Sequence, residues 1–195
     1  DEKTLMRWAA GILGKAGKKI TQRDMELLLT KTGTDMGNLR MEMEKLISYT
    51  EGRDVVTAED IEEICTTQTT NRIFDMVRAV TEKNQKRALE LYYDLLTLKE
   101  PPMRILFLLA KQYRQLLLAK QFAAAGLAQT EIASKLGVPG FVVRNITTCA
   151  RAYTISELEQ AVKDFVDAEE SVKTGRLEDK LSVELLIIKY SSKVK

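Results

Sequence analysis

The sequence contains no histidine. That single absence removes histidine-based triads, most zinc sites and imidazole acid–base chemistry. Cysteine is almost as scarce: Cys65 and Cys149 have neither metal-like spacing nor a disulfide framework around them. They are expected to be reduced, partly buried thiols of a cytoplasmic protein, with a disulfide as the alternative. Neither G-x-x-x-x-G-K-[ST] nor G-x-G-x-x-G occurs, so these phosphate cradles are missing. A G-x-S-x-G nucleophile elbow is missing too. Apolar runs such as Ile105 to Ala110 are far too short to span a bilayer. No secretory n-region and h-region opens the chain, and Asp1 in place of methionine suggests a fragment or a processed chain. No catalytic residue, cofactor or metal is expected.

What is present fits a globular protein. Of 195 residues, 45% are hydrophobic and 30% charged, enough for one large or two small domains with a substantial core. The organising stretch runs from Met103 to Ala125. Glu100-Pro101-Pro102 sets its start and Gly126 its end, with strong helix formers between. At 100° per residue Arg104, Lys111 and Gln115 form one polar stripe, with Arg114 and Gln121 beside it. Apolar side chains cover most of the remaining circumference, so this helix is expected at the centre of a helical domain.

Residues 1–70 read as a small helical bundle. One helix starts near Lys3 and ends at Gly14 or Gly17. Thr21 with Asp24 caps a second, which stops at Gly33, and Asp35 caps a third, closed by Gly52. Val55-Val56 is expected to be a short extended link, and Thr57 with Asp60 to cap a final short helix. The acids Glu59, Asp60, Glu62 and Glu63 look like paired catalytic carboxylates, but an acidic first turn on the helix dipole is the simpler account.

Thr66 to Thr70, poor in helix propensity, is the expected domain boundary. Residues 1–70 carry 10 basic and 13 acidic side chains, residues 71–195 carry 20 and 15, so the halves differ in sign. Beyond the boundary, helical spacing resumes at Ile73, and a further helix is expected from Gln85 to Leu98.

Thr130 to Val138, followed by Pro139 and Val142-Val143-Arg144, reads like a helix-turn-helix. Between Glu100 and Glu157 the only acid is Glu131, against seven bases, as phosphate binding requires. Lys135 and Arg144 are the candidate DNA contacts of a DNA-binding regulator using residues 130–150. Against that reading, FVVRNITTCARAY has few side chains suited to base edges. Three-helix packing, with Ile132, Leu136, Val142 and Ile146 inward, is preferred.

Ser156 with Glu159 is expected to cap the next helix. Lys173-Thr174-Gly175 matches a penicillin-binding triplet, but no S-D-N accompanies it, and Gly175 reads as a helix end. The last helix, Leu177 to Tyr190, is apolar on two rows, Leu181-Leu185-Ile188 and Val183-Ile187-Tyr190. Such a helix is either deeply buried or half of a subunit interface. Arg104, Lys111 and Gln115, with Leu185 and Ile188, are the candidate subunit contacts.

Taken in order, EDIEEIC, NRIFDMVRAV, ALELYYDLL, EPPMRILFLLAKQYRQLL, TEIASKLGVPGFVVRNI and LEQAVKDFVDAEESVKTG, with the apolar final helix, resemble the delta-subunit family of bacterial DNA polymerase III. The family belongs to the clamp loader, which places the sliding clamp on primed DNA. The resemblance implies an all-α fold, with residues 1–70 a three-helix AAA+ lid-like domain and 71–195 a helical collar domain. The family's N-terminal, clamp-binding domain is absent from these residues. The implied partners are the other clamp-loader subunits, delta-prime and the tau/gamma-type ATPases. The clamp would be reached only through the missing domain, and DNA indirectly or weakly, with no membrane contact. Family members are filed with DNA-directed DNA polymerase, a nucleotidyltransferase, as holoenzyme parts, but no catalysis is implied for this chain.

Overall fold

In the computed structural model, which describes residues 2–66 and 69–192, the chain forms two compact units, Asp1–Asn71 and Arg72–Lys195. The fold is all-α. Eleven helices and one pair of two-residue strands make up the described residues.

The first unit contains α1 (Glu2–Lys15), α2 (Gln22–Thr32), α3 (Met36–Tyr49) and α4 (Ala58–Ile64). The strands β1 (Lys19–Ile20) and β2 (Val55–Val56) pair in parallel, Lys19 opposite Val55 and Ile20 opposite Val56. One local pattern is used twice here: a two-residue strand, a threonine N-cap, an aspartate three residues on, then an apolar residue. Ile20-Thr21-x-x-Asp24-Met25 and Val56-Thr57-x-x-Asp60-Ile61 therefore launch α2 and α4 from adjacent strands. Val55-Val56 is thus a paired strand rather than a free link, and Lys19–Ile20, too short to show a period, is its partner. Leu28, Leu39, Met43, Leu46, Val56 and Ile61 fill the core, each worth about 1.5–3 kcal/mol of burial.

Asp60 does structural work at this junction. It accepts from the Thr57 backbone N–H at 2.9 Å and from Arg53 Nη2 at 2.8 Å. Burial opposes its charge, but these donors and the Thr57 hydroxyl outweigh burial and hold the carboxyl below its ordinary value. Of its acidic neighbours, Glu62 pairs with Lys31 at 2.9 Å, and Glu63 lies near enough to Tyr49 to raise its phenol. Asp60, Glu62 and Glu63 have different partners, while Glu59 and Asp60 share the Thr57 hydroxyl in the first turn of α4. Cys65, at the end of α4, is buried, and burial pushes its thiol up to about 12.

The expected boundary, Thr66 to Thr70, includes Thr67 and Gln68, which lie outside the described residues. From Thr69 the chain is helical again: α5 (Thr69–Thr81), α6 (Gln85–Thr97), α7 (Pro102–Ala124), α8 (Gln129–Leu136), α9 (Gly140–Ala150), α10 (Ile155–Lys173) and α11 (Asp179–Ser191). Pro102 occupies the first turn of α7, where its missing N–H costs nothing. Gly126, at φ 82°, reverses the chain, and the Leu127 N–H closes on the Phe122 carbonyl at 3.1 Å. Helices α5 and α6 end differently, with Lys83 (φ 57°) and Lys99 (φ 61°) in the left-handed region glycine usually fills. Lys83 repays this strain by donating to the Tyr190 carbonyl at 2.9 Å and covering the Tyr153 ring.

Helix α7 is the axis of the second unit and packs against α8, α9, α10 and α11. Tyr113 on α7 is fully buried among Tyr153, Phe165 and Tyr190, with ring centroids 5.0–5.9 Å away. The Tyr113 and Tyr153 hydroxyls share a 3.1 Å hydrogen bond. Tyr190 donates to the Asp164 carboxylate, which also pairs with Lys189 at 2.5 Å. Burial, and after it the neighbouring Tyr153 phenol, push the Tyr113 phenol well above its ordinary range, so the cluster is neutral and structural. Cys149 is buried as well, and burial raises its thiol.

The start of α10 corrects one sequence expectation. Thr154 and Glu157, not Ser156 and Glu159, form the capping box: Glu157 Oε2 accepts from the Thr154 N–H at 2.6 Å, and Thr154 Oγ1 accepts from the Glu157 N–H at 3.1 Å. The two patterns overlap in sequence. Tyr153 is buried just upstream, and the helix begins two residues later at Ile155.

Candidate subunit interface

Helix α11 divides its apolar side chains between two faces. Val183, Leu186 and Ile187 are buried where α11 packs on α6, α7 and α10. The other row stays in solvent: Leu181 is 41% exposed, Leu185 48% and Ile188 38%. Both expected rows exist, one as core and one as an open ridge. Beside it, on α6, exposed Tyr93 donates from its hydroxyl to Glu184 Oε1 at 2.9 Å. The bond holds an aromatic ring at the edge of the aliphatic ridge. These three exposed aliphatic side chains, four and three residues apart, are the candidate contact row of this helix.

A second ridge lies on α7. Its inward side carries Ile105, Leu109, Leu116 and Ala119; its outward side carries Arg104, Phe107, Lys111 and Arg114, all exposed. Gln115 is half-buried at the margin. The candidate contacts therefore separate, Arg104, Lys111 and Gln115 on α7, Leu185 and Ile188 on α11. Sequence reasoning passed over Phe107 and Tyr93. Phe107 was legible, since it falls three residues after Arg104 and four before Lys111, within the polar stripe. Tyr93 was not, because its position depends on Glu184, far away in the chain.

The fold uses part of the basic block. Arg104 pairs with Glu100 at 3.1 Å. Lys120 donates to the Ala150 carbonyl at 2.9 Å, closing the end of α9. Lys135 sits over the Phe122 ring at 5.6 Å, and Arg144 also interacts within the chain. The two candidate DNA contacts thus have intramolecular roles on α8 and α9. These helices do make a helix-turn-helix, with Gly137 left-handed at φ 65° and ψ 33° between them. Ile132, Phe141, Val143 and Ile146 are buried, whereas Leu136 and Val142, expected inside, are only half-buried.

That difference changes the expected cost of truncation. Ile132→Ala is expected to destabilise the protein by about 2–5 kcal/mol, the range for a buried aliphatic side chain. Leu136→Ala should cost roughly half as much, because part of its surface already meets water. Urea unfolding of both variants tests this, and a larger loss at Leu136 would contradict the packing described.

Among the described residues no cluster of three histidine, cysteine, aspartate or glutamate side chains could hold a metal, and no helix is long and apolar enough to cross a membrane. What the geometry presents is an all-helical protein of two units whose second unit exposes two chemically different helix ridges. The chain belongs to the family described as DNA polymerase III delta subunit, C-terminal domain, whose model matches residues 70–190. It is 27% identical over 171 residues to DNA polymerase III subunit delta of Bacillus subtilis (strain 168), covering 88% of this chain and 49% of the relative. It is 23% identical over 123 residues to the probable DNA polymerase III subunit delta of Aquifex aeolicus (strain VF5), covering 63% of this chain and 35% of that one. A solved structure, the Bacillus subtilis DNA clamp loader delta protein (YqeN), superposes with a TM-score of 0.84 at 25% identity, over 98% of this chain and 56% of that one. The chain spans about half the length of the Bacillus relative or less. These likenesses agree with the resemblance carried by the ordered motifs and do not favour the DNA-binding-regulator alternative.

Proposed function

We propose that this chain is a non-catalytic assembly unit of a bacterial clamp loader, acting in DNA replication by helping to place the sliding clamp on primed DNA. In this reading residues 1–70 are the AAA+ lid-like domain and 71–195 the collar, which joins delta-prime and the tau/gamma-type ATPase subunits. The observation that carries it is the exposed Leu181-Leu185-Ile188 ridge, with Tyr93 beside it, on a chain of this family. Interfaces of this sort combine an apolar centre with a polar rim. Clamp contact is assigned to a family domain outside these residues, and DNA contact is indirect or weak.

The test is to mix the chain with the other clamp-loader subunits and the clamp, then separate by size exclusion and weigh the complexes. The chain should enter the multisubunit complex, yet should not co-elute with the clamp alone. Failure to join at micromolar concentration, or clamp binding without partners, would overturn the proposal. Calorimetry with ATP and magnesium is expected to give no saturable heat from the isolated chain; micromolar binding would contradict the non-catalytic reading.

A further inference from the structure

We infer that the outer ridge of α7 is a contact surface separate from that of α11, and that it takes an acidic helical face of a neighbouring subunit. This inference rests on the assembly reading and assigns its two sides. Phe107 is 62% exposed, between Arg104 and Lys111, with Arg114 further along. Spacing of three, four and three residues puts all four on one line. Arg104 already has Glu100, but Lys111 and Arg114 have no acidic partner among the described residues. A phenylalanine flanked by unpaired cations gains from a partner that supplies both an apolar pocket and carboxylates.

This fold itself shows what such a partner looks like. Along α10, exposed Glu159 and Asp167, with Glu170 held by Arg176 at 2.8 Å, surround exposed Val166, and Lys163 is the one base of the helix among them. A related subunit presenting an equivalent face would match the α7 ridge in charge and apolar centre. Shape argues the same way, because an evenly spaced ridge on one helix packs into the grooves between side-chain rows of a facing helix. Single-stranded nucleic acid is instead held in a basic groove with several stacking rings, and this ridge is convex with one ring. The α11 ridge is aliphatic and lies on another helix, so the two ridges take different neighbours.

The experiment uses the full chain mixed with delta-prime and the ATPase subunits of the same organism, read by native mass spectrometry. Lys111→Glu with Arg114→Glu, and separately Phe107→Ala, should weaken binding to one neighbour by roughly tenfold or more, with altered salt dependence. The neutral pair Lys111→Gln with Arg114→Gln should give an intermediate loss. Leu185→Lys should remove the other neighbour and leave the first bound. Circular dichroism should show every variant folded, since all these side chains are exposed. Loss of the same neighbour in both sets would overturn the inference. So would retention of both neighbours by the α7 variants, with or without loss of affinity for a fluorescent oligothymidylate. If the unaltered chain joins no subunit, the assembly reading falls with it; if only the α7 variants behave as the unaltered chain, this inference alone falls.

Discussion

Replacing Tyr113 with alanine is expected to destabilise the chain by about 3–5 kcal/mol, the range for truncating a large buried aromatic. Tyr113 is the point where α7 meets Tyr153, Phe165 and Tyr190, so a void there would lose ring contacts on three sides. It would also leave the Tyr153 hydroxyl, buried and bonded to Tyr113 at 3.1 Å, without that partner. Tyr113→Phe keeps the ring and loses only the hydroxyl, which should cost about 1–3 kcal/mol. Equilibrium urea unfolding followed by far-ultraviolet circular dichroism separates the two. Equal losses in both variants would mean that the hydroxyl pair, not ring packing, carries the stability.

Leu185→Lys is expected to remove the neighbour seated on α11, leaving the α7 neighbour bound and the complex incomplete, while shifting unfolding stability by no more than about 0.5 kcal/mol, as exposed substitutions usually do. The reason lies in the orientation of α11. Leu185 is nearly half exposed, whereas its neighbour Leu186 faces the core, so adjacent positions on one helix separate association from folding. A lysine at the centre of an apolar contact must be desolvated or must displace the partner, and either outcome is costly. Leu186→Ala, by contrast, should lower stability by about 2–5 kcal/mol and affect assembly only through misfolding. Lys111→Glu should slow association and change its salt dependence, the signature of a charged rim. Normal assembly by folded Leu185→Lys would remove α11 from the interface.

Much of the helical punctuation was legible because it depends on neighbours in sequence. Thr21, Asp35, Thr57, Pro102 and Gly137 each act within one turn, and each marks a helix end in the fold. Features set by distant residues were not legible. Overlapping capping patterns at Thr154 and Ser156 could not be separated locally, since both threonine and serine have a glutamate three residues on. Lys83 ends α5 where glycine is the ordinary signal, and the group that makes this tolerable, the Tyr190 carbonyl, belongs to the last helix. A helical projection of α11 showed two apolar rows, yet which one faces inward is decided by α6, α7 and α10. The candidate contacts divided into two ridges for the same reason. Local spacing identifies a face but not what covers it.

The buried thiols have a practical consequence. Cys65 and Cys149 are enclosed, with their ionisation raised by burial, so little thiolate is available to an alkylating dye near neutral pH. A cysteine placed on either ridge would therefore be the dominant labelling site without removal of the native pair. Fluorophores at the α7 and α11 ridges would let energy transfer report the order in which neighbours arrive, one side at a time.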